Sequence, residues 1–279
     1  LDTPARATFG IGWTAKTVYQ PTRAHFMGMS PRLLRPRATG FSPKNISGLV
    51  GWWDAADSST ITVATGVSDW RDKSGVGSGK TLLQTTANNQ PAYTATIGGK
   101  AAILYDGTND ELVTSGNVTI IGADYTWTVF SVCRADAQGG GGIISQDDFS
   151  ATRPPQYQRL WSGTFPSARS ARVFLTNAAD SAVGAISGLA VLQSTPFVLS
   201  SSQSSDTSNI WVNGANNGTA SVTPKAVQFS KKLYIGSIGS GSFFAGAIGE
   251  AIIYSRALTT SERQSVERYL GTKWGITVA

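Results

Sequence analysis

Apolar residues in this chain come mostly in short runs that alternate with polar ones, and glycine, proline, asparagine and aspartate separate the runs. A period of two is the signature of strands with one buried face. The run GLVGWWDAAD sets Leu49, Gly51 and Trp53 on one face and Val50, Trp52 and Asp54 on the other. VSDWRDKSG reads as a short strand and a turn, and AAILYDGTNDELVTS as a strand, an Asp-Gly turn and a second strand. YTWTVFSVCRA is a longer central strand. The Asp136–Gly142 loop after it contains four consecutive glycines, a run that specifies no packed conformation. Further strands are expected at Ile143–Ser145, Arg159–Gly163, Ala171–Thr176, Thr195–Ser202 and Asn209–Asn213. Asn213-Gly214 and Asn217-Gly218 are both hairpin signals, and one of them turns the chain between IWV and TASV. From Phe243 to Tyr254 the alternation disappears; an apolar run broken only by Glu250 reads as a strand buried on both faces. About a dozen short strands with no internal repeat and no second core make two packed antiparallel sheets.

After Ala257-Leu258 the period changes. Thr259 and Glu262 stand at capping-box spacing, and Val266, Leu270 and Trp274 recur every fourth residue until Gly275. This predicts one amphipathic helix that covers a sheet with that stripe, with Glu262, Arg263, Glu267, Arg268 and Lys273 largely off it. Residues 1–44 show neither period. They hold five prolines among apolar anchors such as Phe9, Trp13, Phe26 and Phe41, more than a disordered tail carries. Residues 1–45 contain seven basic residues against Asp2 alone, while the rest of the chain balances, so the whole formal charge of +6 lies in this segment. We read 1–45 as an extended arm that docks on a partner through Arg6, Trp13, Arg23, Phe26, Arg32, Arg35 and Arg37, and 46–279 as one folded domain. The opening LDTPARATFG lacks the apolar core of a secretion signal. No stretch approaches the length of a membrane helix.

Several of these segments, in this order, resemble a known family. The closing pattern Gly246, Ile248, Glu250, Tyr254, Arg256, Leu258, Thr259, Glu262, Tyr269, Leu270, Lys273, Trp274 is similar to the end of concanavalin A-like, laminin-G-like jelly-roll domains. LVGWWDAADSSTIT, WRDKSG, AAILYDGTNDEL and IWVNG add to the likeness, which spans Leu49 to Ile276. The resemblance implies an all-β, two-sheet antiparallel jelly-roll sandwich with one C-terminal helix and an extended N-terminal arm. The form GWWDAAD followed by WRDKSG resembles versions found in tailed-phage virion proteins.

Glycosidases of this fold class that use paired carboxylates carry them on one strand in Glu-x-Asp-x-x-Glu spacing, which this chain lacks. Glu250 lies among apolar residues and needs a buried partner, for which Arg256 or a backbone donor is the expectation. The single histidine, His25, falls in the arm, and no Gly-x-x-x-x-Gly-Lys-Ser/Thr loop is present. The lone Cys133, in a strand, is expected as a core residue rather than a nucleophile. Catalytic residues are therefore expected to be absent, and the chain is not expected to be an enzyme. No cofactor is expected, with calcium as the exception to weigh. Asp106, Asn109 and Asp110 cluster oxygens, as do Asp69 and Asp72, but Asp-Gly-x-Asn is first a turn sequence. Tyr157, Arg159, Trp161 and Asp147 have the residue types of a glycan site, and equally those of core aromatics with a solvated rim. Nucleic acid is not the expected partner, because the basic residues are strung between prolines rather than set on a folded face.

The expectation is a non-enzymatic phage virion structural protein, decorating capsid, neck or tail. The arm binds other virion proteins, and the domain faces outward as a homo-oligomer toward host-surface glycans, with no membrane partner. The alternative is a secreted, extracellular carbohydrate-binding or adhesion module.

Overall fold

The computed structural model describes residues 40–120, 125–136, 141–146, 156–161, 169–176, 182–183, 186–191, 194–221, 230–239 and 241–279, together with residue 10. The chain divides into two units, Leu1–Gly40 and Phe41–Ala279, and almost all described residues belong to the second.

Two large antiparallel sheets form that second unit, with a small two-stranded one of Val118–Thr119 and Ser230–Lys231. Across the first run Ala215–Ser221, Thr207–Val212, Phe197–Ser204, Trp127–Ala135, Ala245–Tyr254, Lys100–Asp106 and Ala92–Ile97. Leu49–Asp54 pairs with the far half of Ala245–Tyr254, beyond the end of Lys100–Asp106. Across the second run Ala182–Val183, Arg169–Thr176, Gln156–Trp161, Gly141–Ser145, Tyr234–Ile235, Leu112–Thr114, Leu82–Leu83, Val67–Trp70 and Ile61–Val63, with Ile186–Val191 also on Arg169–Thr176. The sandwich core between them holds Trp53, Trp70, Tyr105, Trp127 and Phe244. A second core lies on the other face of the first sheet, where Trp52, Phe130 and Tyr254 pack under Val266, Leu270 and Trp274 of the helix Thr260–Trp274.

The first sheet is thus the middle of three layers, which explains its lost alternation. Ile248, Ala251 and Ile253 enter the sandwich core, whereas Ala247, Ile252 and Tyr254 enter the core beneath the helix. Ile248 and Ala251 share a face because the strand register shifts between Ile248 and Glu250. The residue at that shift is Gly249, where a Cβ would stand 2.8 Å from the Trp274 ring; only glycine lets the indole lie across the strand. The helix forms as its signals predict. Thr259 accepts from the Glu262 N–H, Glu262 reaches back to Thr259, and Gly275 ends the helix at φ 67°.

Four expectations change. Leu49 packs with Trp52 beneath the helix, not with Trp53, because a second register shift falls between Leu49 and Gly51. Arg263 and Glu267 are buried. Arg263 Nη1 donates to both Glu267 oxygens at 2.6 and 2.5 Å, Ser200 Oγ adds a bond at 2.7 Å, and the guanidinium lies 4.3 Å from the Trp211 ring. Gly141 and Gly142, the end of the glycine run, form a buried strand where a Cβ would meet Phe243 O at 2.5 Å and Ser237 O at 2.3 Å, so their smallness is a packing requirement. Of the two hairpin signals, Asn213-Gly214 makes the turn, with φ of 51° and 80°, while Asn217-Gly218 lies inside Ala215–Ser221 beside a register shift.

Candidate functional site

Of the two predicted oxygen clusters, Asp106–Asp110 is built as a turn, whereas Asp69 lies on the strand Val67–Trp70 with Asp72 just beyond it. Asp106 Oδ1 accepts from the N–H groups of Thr108, Asn109 and Asp110 at 2.7, 3.2 and 3.4 Å, and Asp110 Oδ2 accepts from the Asp106 N–H at 2.9 Å. Burial pushes the Asp110 carboxyl up to about 6. Asp72 Oδ1 accepts from the Trp52 and Ser74 N–H groups at 2.8 and 2.9 Å, and Asp69 Oδ2 accepts from Ser68 Oγ at 2.7 Å. Among the described residues no three His, Cys, Asp or Glu side chains gather around a common point.

Tyr157 belongs to the core, not to a rim. It is fully buried, its ring meets Trp127 edge-on at 4.9 Å, and its hydroxyl donates to Gln146 Oε1 at 2.5 Å. Arg159 and Trp161 lie on the strand Gln156–Trp161, opposite Arg172 and Ser170 on the next strand; their side chains fall outside the described residues. Asp147 lies outside them too, as do Arg6, Trp13, Arg23, Phe26, Arg32, Arg35 and Arg37 of the arm. Cys133 is a buried core thiol, which burial pushes up to about 12.

The densest polar chemistry lies under the helix, around Glu250. Its Oε1 accepts from Trp52 Nε1 at 2.7 Å and the Tyr269 hydroxyl at 3.1 Å. Its Oε2 accepts from Lys273 Nζ and Trp274 Nε1, both at 2.7 Å. Asp54 sits directly opposite on the neighbouring strand. Lys273 also pairs with Asp54 at 2.6 Å, and Lys73 bridges Asp54 at 2.9 Å and Asp57 at 2.7 Å. Charge therefore alternates from Asp57 through Lys73, Asp54 and Lys273 to Glu250. Burial raises the Glu250 carboxyl above its ordinary value, against the pull of Lys273. Burial also works against the Lys73 ammonium, but Asp54 and Asp57 outweigh it and the net shift is upward. With four donors on its two oxygens, Glu250 has no lone pair to spare for a ligand, and the network reads as a clamp between helix and sheet. Four side-chain donors thus stand where a backbone donor or Arg256 was expected. That residue, past the strand's end, instead holds Glu262 through bonds of 2.9 and 2.6 Å, and Arg256 together with the Thr259 N–H holds Glu262 down at about 2.

On the outer side of the same helix, Phe41, Ser265, Arg268, Tyr269, Thr272 and Lys273 line an open groove of about 440 Å³. The Phe41 and Tyr269 rings stand 5.7 Å apart, tilted by 51°. Arg268 is exposed, and Nη2 donates to Ser265 Oγ at 3.2 Å. Sequence reasoning missed this groove. The spacing Ser265, Arg268, Tyr269, Thr272 was available as a helical face, but nothing in the sequence brings Phe41 to it.

A sequence profile described as the concanavalin A-like lectin/glucanases superfamily matches residues 106–262, more than half of the chain. The chain belongs to this superfamily. No curated protein sequence matches it. Among solved structures of similar fold, Trypanosoma rangeli sialidase in complex with sialic acid has a TM-score of 0.51 at 14% identity, over 83% of this chain and 34% of that one. The receptor binding domain of botulinum neurotoxin D has a TM-score of 0.55 at 11% identity, over 82% and 54%. The binding domain of Paraclostridial Mosquitocidal Protein 1 has 0.51 at 12%, over 84% and 56%. This lectin/glucanase-superfamily chain thus spans about a third of the sialidase and just over half of the two binding domains. At these identities the likeness shows the fold alone.

The likeness also corrects the expectation that the chain is not an enzyme. That exclusion leaned on the missing paired carboxylates, and the solved structures of similar fold include a sialidase, of which about a third is matched. Catalysis is not excluded by the fold or by the glutamate spacing, and the likeness assigns no activity to this chain.

Proposed function

We propose that this chain is an adhesion module displayed on the outer surface of a tailed-phage virion. The superfamily domain faces a host-surface glycan, and residues 1–45 fasten it to capsid, neck or tail proteins. The observation that carries the reading is the partition of charge: the arm holds the entire formal charge of +6 and the remaining residues sum to zero. A basic arm with apolar anchors suits attachment to an acidic protein surface, whereas a neutral, rigid sandwich suits display. Two further points support it. The segments GWWDAAD and WRDKSG resemble tailed-phage virion proteins, and two structures of similar fold are named as binding domains, one of them receptor-binding. Repetition of the module as a homo-oligomer on the particle would multiply weak glycan contacts into stable adhesion.

Deletion of residues 1–40, which spares Phe41 and the Tyr254–Pro43 bond of the folded unit, tests the arm. The truncated protein is expected to stay folded and soluble and to be lost from purified particles, measured by quantitative mass spectrometry of virions from a complemented deletion phage. Incorporation at the parent level would refute the anchoring role. A glycan-binding protein that never joins particles in either form would point to the secreted carbohydrate-binding module instead.

A further inference from the structure

We propose that the groove between Phe41 and the C-terminal helix binds an acidic saccharide, a pyranose carrying a carboxylate or sulfate group. This rests on the glycan-adhesion reading above and gives it a place and a ligand class. Three features of the groove argue for it.

The first is size and lining. At about 440 Å³ the groove falls within the range of small-ligand sites and has room for one or two sugar rings. The Phe41 and Tyr269 rings offer apolar faces to pyranose C–H groups, and the Ser265 and Thr272 hydroxyls stand beside them for sugar hydroxyls. The second feature is rigidity. The Tyr269 hydroxyl is held by Glu250 at 3.1 Å, and Lys273 is held by Glu250 and Asp54 at 2.7 and 2.6 Å. The clamp beneath the helix therefore fixes this wall before any ligand arrives, which lowers the entropy lost on binding.

The third feature is charge, and it selects the ligand. Among the described residues the lining contains two cations and no carboxylate. Lys273 is neutralised from beneath, whereas Arg268 forms no salt bridge among the described residues. It is exposed, its hydrogen bond there is to the Ser265 hydroxyl, and the described acid that acts on it, Glu267, is buried and already held by Arg263. A neutral sugar would leave this guanidinium unused, whereas a carboxylate or sulfate matches its fork of donors. Ser265, Arg268 and Thr272 fall on one helical face, so the anion and the ring hydroxyls are addressed from one side.

Isothermal titration calorimetry of the full chain with glucuronic acid, glucose 6-sulfate, glucose, acetate and inorganic sulfate tests this. Both charged sugars are expected to bind in the millimolar range or tighter, at least about tenfold tighter than glucose, acetate or inorganic sulfate, the margin of one charge-assisted contact. Arg268→Ala should remove that margin without changing the thermal melt, since the side chain is exposed, and Phe41→Ala should weaken all three sugars. The proposal is overturned if Arg268→Ala binds the charged sugars as tightly as the parent. Sugar binding would then lie elsewhere, and the adhesion reading would stand. It is equally overturned if acetate or sulfate binds as tightly as the sugars, which would make Arg268 a simple ion site. A parent protein that binds none of these sugars and no ligand on a glycan array would overturn both this proposal and the adhesion reading.

Discussion

Glu250→Gln keeps the shape of a buried side chain and changes what it can accept. In the parent, four donors converge on the carboxylate: Trp52 Nε1, the Tyr269 hydroxyl, Lys273 Nζ and Trp274 Nε1. A glutamine has one carbonyl oxygen. If its amide nitrogen takes the place of Oε2, it faces the Lys273 ammonium and the Trp274 N–H; flipped, it faces Trp52 and Tyr269. Either way two donors lose their acceptor, and Lys273 keeps only Asp54 as a carboxylate partner. Hydrogen bonds to a charged group contribute about 1.5–3 kcal/mol each, so the gross loss is roughly 3–6 kcal/mol. Removing a buried charge returns some desolvation energy, and breaking one side of a buried pair typically costs about 3–5 kcal/mol net. In a domain of this size that corresponds to a fall in Tm of roughly 6–20 °C. Circular-dichroism melts and urea titrations at pH 7 measure it. The double variant Glu250→Leu, Lys273→Met removes both charges together. It should be less destabilised than the sum of its singles by about 1 kcal/mol or more, because neither charge is left stranded. A Glu250→Gln protein that melts within about 2 °C of the parent would refute the clamp.

Trp274→Ala should destabilise the domain by about 3–5 kcal/mol, because the indole is fully buried over Gly249 and a cavity would remain. A melt matching the parent would mean that the helix does not close this face. The pH profile should have two opposed limbs. Glu262 is held down at about 2, chiefly by Arg256, and Asp57 at about 2, chiefly by Lys73. Both contribute stability that is complete above the ordinary carboxylate range, about 4, and is lost as the pH falls toward 2, so Glu262→Gln should flatten that limb. Asp110 acts in the other direction. Raised to about 6 by burial, it gives stability that is present below pH 4 and lost as the pH rises through 6, a decline that Asp110→Asn should remove. Melts from pH 2 to 8 follow both limbs, and a carbon-13 titration placing the Asp110 carboxyl in the ordinary range would refute the second.

What the sequence reveals of this protein follows from the range over which each interaction acts. The helix is set by neighbours within one turn, the Thr259–Glu262 box, the Val266, Leu270, Trp274 stripe and Gly275, so its limits were legible to the residue. The strand Ala245–Tyr254 was legible as doubly buried for the same reason, since burial on both faces writes itself into consecutive residues. Register shifts are another matter. Nothing local marks the one between Leu49 and Gly51, yet it moves Leu49 to the opposite core from Trp53. Charges are read least well, because a charged residue on a helix looks solvated until its partner is known. Arg263 and Glu267 fell off the stripe by periodicity, and they are buried because Ser200 and Trp211, from a hairpin far back in the chain, meet them there. Glu250 finds Trp52 across 198 residues of sequence and Lys273 across 23, while Arg256, closer along the chain, has already been taken by Glu262. The groove is invisible for the same reason: its helical face is regular, but Phe41 arrives from the other end of the chain to complete it. A buried network and a surface groove thus share Tyr269 and Lys273, and the register that the clamp imposes on the helix is what aims Arg268 into the groove.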